Sequence, residues 1–204
     1  MFKQNFKKLC VLCLGTVMAA TVSLMDVKAA NAPAFDCSLL GGLGEYGEVD
    51  RYWYFEGYDM YYLACAQEAF NAWQDTSVNG MANYISFERT GEELKAHITV
   101  ALSSDGSDVG YNGYTRFTFN GSDVYPNYSV WDRARLVYNT TNGNINEYCN
   151  HLITGVMCHE IGHAFGLDEN NGNTNSIMCQ WIAGRAVSVP TSNDIWSAIA
   201  IYVK

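Results

Sequence analysis

Within His159-Glu160-Ile161-Gly162-His163, two histidines and a glutamate stand at a spacing that can do chemistry. Residues four apart share one face of a helix, so His159 and His163 direct their imidazoles at a common point one turn apart. That donor pair suits Zn²⁺, which accepts neutral imidazole and, in catalytic sites, takes three protein ligands and keeps a position open. Glu160 falls beside the point as a non-ligand, where a carboxylate can accept a proton from water. Gly166 is placed to take the left-handed conformation that ends a helix and turns the chain back. A third ligand then comes from just beyond the turn, and the candidates are Glu169 first and Asp168 second. The competing reading is a helix whose histidines are merely buried or solvated.

Downstream, Met178 of Ser176-Ile177-Met178 follows a stretch rich in Asn, Gly and Thr between residues 170 and 175. Zinc helix, glycine turn and methionine together resemble the metzincin metalloproteases, and the wording His-Glu-Ile-Gly-His-Ala-Phe-Gly-Leu is most similar to the matrixins. The chain departs from that pattern where a matrixin has its third histidine, the position of Glu169. The resemblance implies an α+β domain over residues 49–204. Its expected architecture is a twisted, mixed five-stranded sheet on two long helices, with a Met-turn and a C-terminal helix. It further implies one catalytic Zn²⁺ on His159, His163 and Glu169, Glu160 as general base, and a peptide or protein substrate. A carboxylate in place of an imidazole lowers the net positive charge at the metal, so activity is expected at higher pH than for a three-histidine site. No histidine lies between His97 and His151 to hold the second, structural zinc of matrixins.

The elements that must position these residues can be read from pattern. Arg51 to Glu56 alternates as a first strand. Tyr62, Ala66, Ala69, Phe70 and Trp73 have helical spacing behind Asp59 as cap. Strands are expected at Tyr84 to Glu88, His97 to Leu102, Tyr114 to Phe119 and Arg133 to Tyr138. The last of these is expected to form the upper edge of the cleft, where an extended peptide can add by main-chain hydrogen bonds. The zinc helix is expected from near Glu147 to Phe165, followed by a pocket wall from Gln180 to Val189 carrying Trp181 and Ile182. A final helix opens at Thr191 or Ser192, with Asp194 near its positive end.

Residues 1–29 read as a secretory signal peptide: Lys3, Lys7 and Lys8, an apolar run from Leu9 to Met25, then Val27-Lys28-Ala29. Glycine, threonine and serine interrupt the run, which favours cleavage over a retained anchor. Without that segment, 8 basic stand against 20 acidic residues, a charge of −12. Such a surface disfavours nucleic acid and anionic membrane, and a secreted, extracellular monomer is expected. Residues 30–48, rich in glycine, read as a flexible lead-in in which Cys37 is a minimal latch or, more simply, a structural half-cystine.

Five cysteines remain in the mature chain: Cys37, Cys65, Cys149, Cys158 and Cys179. Disulfides are permitted in an exported chain, and although spacing alone leaves the connectivity open, the fold that the resemblance implies would bring Cys158 and Cys179 together as the favoured pair. Asp105, Asp108 and Asp123 among glycines form only a weak calcium pattern, while His97 and His151 read as structural. The leading expectation is a zinc metalloendopeptidase. The alternative is a secreted zinc-binding or inactive metzincin-like binding protein, and an amidase acting on cell-wall peptides shares the same metal chemistry.

Overall fold

The computed structural model describes residues 33–44, 51–76, 84–106, 109–141 and 150–203. The signal peptide at 1–29, Cys149 and Asp108 lie outside these residues, as does the expected helix start at 147–149.

The fold is α+β, with six strands in a mixed sheet and three α-helices among the described residues. The strands are β1 (Tyr52–Glu56), β2 (Glu88–Arg89), β3 (Ile98–Ser103), β4 (Gly113–Phe119), β5 (Ser122–Val124) and β6 (Arg133–Asn139), in the spatial order β2-β1-β3-β6-β4-β5. β2, β1, β3 and β6 pair in parallel, and β4 runs antiparallel to both β6 and β5. The count exceeds the expected five because β4 continues into a hairpin. Asn120 (φ 50°) and Gly121 (φ 77°) form the two-residue turn between the paired Phe119 and Ser122, the conformation that an Asn-Gly pair favours.

The strand expected at 84–88 contracts to Glu88–Arg89. Ile85 and Phe87 are buried, but the backbone here is claimed by other partners: Ser86 N donates to Leu43 O, and Phe87 N to Gln74 Oε1. β6 is not an edge. It is hydrogen-bonded to β3 on one side and β4 on the other, as its nearly continuous burial requires. The exposed edge near the site belongs to β4, whose residues from Gly113 to Arg116 have no partner strand among the described residues on the side away from β6.

The helices are α1 (Met60–Asp75), α2 (Asn150–Ala164) and α3 (Ser192–Tyr202). Asp59 caps α1, its Oδ1 accepting from Tyr61 N and Tyr62 N. Leu63, Ala66, Phe70 and Trp73 turn inwards at helical spacing. Phe70 stacks on Trp53 of β1 at 4.5 Å, and the Trp73 indole donates to Cys158 O of α2 at 3.0 Å. The core thus lies between the sheet and α1 with α2. Each large apolar side chain fully buried in it contributes about 2 kcal/mol.

Residues 33–44 are packed rather than a flexible lead-in. Ala34 bridges to Leu167, Leu39 to Trp131, and both Leu39 and Leu43 are buried. Tyr202 of α3 fastens this segment, accepting from Leu39 N and donating to Phe165 O. The expected Cys158–Cys179 disulfide is not formed, and Cys37, Cys65, Cys158 and Cys179 are free thiols. Cys158 faces α1, where its Sγ is 3.8 Å from Ala69 O, whereas the Cys179 thiol lies against Gln180 O. Of the calcium pattern, the two aspartates among the described residues have other partners. Asp105 accepts from Ser103 and Tyr111, and Asp123 pairs with Arg116.

Candidate metal centre and active site

α2 carries His159 and His163 one turn apart, and their ring nitrogens converge. His159 Nδ1 lies 2.9 Å from Ile177 O, and His163 Nδ1 lies 2.9 Å from Leu167 O. Carbonyls only accept, so the proton of each neutral ring sits on Nδ1 and the Nε2 lone pair is bare. These two Nε2 atoms are 3.1 Å apart. Glu169 Oε1 lies 3.5 Å from His159 Nε2 and 3.4 Å from His163 Nε2. Among the described residues these three side chains form the single cluster with metal-ligating geometry.

Three donors on a tetrahedral zinc at ordinary bond lengths lie roughly 3.3–3.6 Å apart; the two edges to Glu169 fall in that range and the edge between the histidines, at 3.1 Å, is slightly shorter. The donor set of two imidazoles and a carboxylate is also one that zinc accepts. Glu169 Oε2 is buried without a hydrogen-bond partner, which leaves this carboxylate short of the positive charge it needs. Burial opposes its ionisation, yet when the imidazoles are protonated at Nε2 their hydrogen bonds and charge hold the carboxyl down at about 2. Asp168 takes another role: its Oδ1 accepts from Glu169 N and its own N–H donates to Pro33 O.

The turn that delivers Glu169 depends on Gly166, whose φ of 98° is left-handed. Met178 is fully buried and packs against Gly162 of α2. A Cβ at Gly162 would stand 2.2 Å from Met178 Sδ and 3.2 Å from Trp73, so the glycine makes room for the methionine against α2. Asp194 secures this turn. Its buried carboxylate accepts from Ser176 Oγ, Ile177 N, Thr191 N and Thr191 Oγ1. Because Ile177 O receives His159 Nδ1, Asp194 orients a ligand through the Met178 turn and the start of α3.

Glu160 faces the cleft from the same helix. Thr115 Oγ1 of β4 donates to Glu160 Oε2 at 2.8 Å, and Oε1 has no hydrogen-bond partner among the described residues. Gly113 permits this approach of β4, since a Cβ there would meet Val156 and Val137 O near 3 Å. The cleft holds about 450 Å³ and brings together His159, Glu160, His163, Asp168 and Glu169. Trp181 and Ile182 stand exposed on its rim. Phe35 also lines it, stacked on His163 at 5.7 Å, while Cys37 instead donates its N–H to Pro126 O. His97 is structural, accepting from Tyr52 N through Nδ1. Thr115, Phe35, Asp194 as an anchor and Arg185 were not identified from sequence, because long-range packing alone brings them here.

No protein-family model matches the chain, and no curated protein matches it. Among solved structures, a chain from one titled "GM1 bound form of the ECX AB5 holotoxin" aligns over 84% of this chain and 88% of that one, with a TM-score of 0.51 and 16% identity. That likeness is one of fold.

Proposed function

We propose that the chain is a secreted zinc metalloendopeptidase of the metzincin, matrixin-like type, with a carboxylate as third ligand. The observation that carries this reading is the triangle of His159 Nε2, His163 Nε2 and Glu169 Oε1 on an open cleft, with non-ligand Glu160 beside it. Zinc held there would supply Lewis acidity towards water and the scissile carbonyl. The chain's own groups do the rest. An extended peptide adds to the free edge of β4 between Gly113 and Arg116, which sets the scissile bond across the cleft. Glu160, fixed through Oε2 by Thr115, takes the proton of the attacking water and returns it to the leaving amine. Trp181 and Ile182 flank the residue that departs with that amine.

A zinc-holding binding protein would use the same three ligands but has no need of a carboxylate poised beside them. The two readings separate on a quenched generic peptide. Zinc-loaded protein is expected to cleave it, to stop with chelator and to recover with zinc. Glu160→Gln should keep its metal while turnover falls about 100-fold or more. Full turnover in that variant would contradict the role of Glu160, and zinc binding without cleavage of any peptide would favour the binding protein.

A further inference from the structure

Arg185 has no place in the chemistry above, yet its guanidinium lies in the same cleft. It is 7% exposed, and it is the sole lysine or arginine lining the cleft among the described residues. Its Nη1 donates to Ile177 O at 3.2 Å, its Nε is buried without a partner, and no carboxylate lies within ion-pair distance among the described residues. A buried guanidinium carries five donors in a planar fork, and leaving them unanswered costs stability unless a ligand answers them. The seat is built for it: a Cβ at Gly155 of α2 would stand 3.2 Å from Arg185 Nη2, so the glycine makes room for the fork.

We infer that Arg185 makes the pocket beside the metal centre a carboxylate-binding subsite, selecting an acidic residue immediately after the scissile bond. The inference rests on the peptidase reading and names its substrate class. Arg185 lies in the segment after the Met178 turn, between Gly155 and the Ile177 carbonyl that orients His159, and lines the cleft together with Trp181 and Ile182, which on the peptidase reading flank the departing residue. Burial holds the guanidinium below its ordinary value, with Cys158, Cys179, Glu160 and Glu169 acting the other way, so an added carboxylate restores what desolvation removes. Selection is short-range. The acidic surface of the chain does not draw an acidic peptide in from solution, and the preference arises after the pocket is desolvated. The same chemistry suits a side-chain carboxylate or the α-carboxylate of a peptide ending at that residue.

The test uses zinc-loaded full-length mature protein and quenched peptides that differ only after the scissile bond. One pair has Glu against Gln there, and another ends at that residue with a free or an amidated carboxyl. A charge-assisted hydrogen bond in a buried site predicts a kcat/KM ratio of roughly tenfold to hundredfold in favour of the acid. The Glu:Gln ratio reports a side-chain carboxylate, and the free:amidated ratio an α-carboxylate. Arg185→Gln should bring the favoured ratio to about one, and Arg185→Lys, which keeps the charge without the fork, should leave it in between. Ratios near one in the wild type, or a ratio untouched by Arg185→Gln, would overturn the subsite while leaving the peptidase standing. If Arg185→Gln does not fold, the wild-type ratios and Arg185→Lys decide alone. Absence of cleavage of every peptide by zinc-loaded protein would overturn the peptidase reading and the subsite with it.

Discussion

With both Nδ1 atoms committed to carbonyls, His159 and His163 present bare lone pairs to the Glu169 carboxylate, and a positive charge must sit among them. In metal-free protein that charge is a proton. Burial opposes an imidazolium at His163, but its hydrogen bond to Glu169 and the charge of Glu160 outweigh it and raise its pKa above 6.5. Glu169 is lowered from 4.5 to about 2. A lowered carboxyl gives stability that is present above 4.5 and lost as pH falls towards 2. A raised imidazole gives stability that is present below 6.5 and lost as pH rises beyond it. Chelator-treated protein is therefore expected to melt highest between pH 4.5 and 6.5, and Glu169→Gln to flatten both slopes. Melting curves across pH check this, and equal pH dependence in the two proteins would contradict it. Zinc takes the proton's place, so the loaded protein should not show the loss at high pH.

At the scale of elements, the site depends on α3 as well as on α2. Asp194 joins the capping box at the start of α3 to the Met178 turn through Ser176 and Ile177. Asp194→Ala strands those donors and should cost about 2–4 kcal/mol in a denaturant melt. It should also weaken zinc binding roughly 10–100-fold by releasing the carbonyl that orients His159. Unchanged affinity in a destabilised variant would reduce Asp194 to a helix cap. Local elements were legible in the sequence because their causes are local. Asp59 and Thr191 cap where side-chain chemistry requires, and helical spacing alone brings His159 and His163 together. What stayed hidden is set by distant packing. β4 rather than β6 borders the cleft because β3 flanks β6, a pairing that alternation along one strand does not reveal. Thr115 meets Glu160, and Arg185 meets Ile177, through tertiary contacts with no spacing signature. The hairpin at Asn120-Gly121 did carry a local signal, and β5 follows from it.

The described residues form a sheet backed by α1 and α2, with the segments 33–44 and 165–185 packed around the end of α2 that carries His159 and His163. Pro33 O receives Asp168 N and Gly166 O receives Phe35 N, so this N-terminal segment braces the turn that carries Glu169. Among the described residues no helix is long and apolar enough to cross a membrane. The cleft depends on residues far apart in the chain, Phe35 as well as His159, His163 and Glu169. The measurement that bears most directly on this account is zinc stoichiometry and affinity, by native mass spectrometry and competitive titration, of wild-type protein beside Glu169→Ala and His163→Ala. One zinc per chain, with affinity falling at least about tenfold in each variant, is the predicted result. Wild-type protein that binds no zinc, or binds it equally in both variants, would contradict the assignment of this triangle as a metal centre.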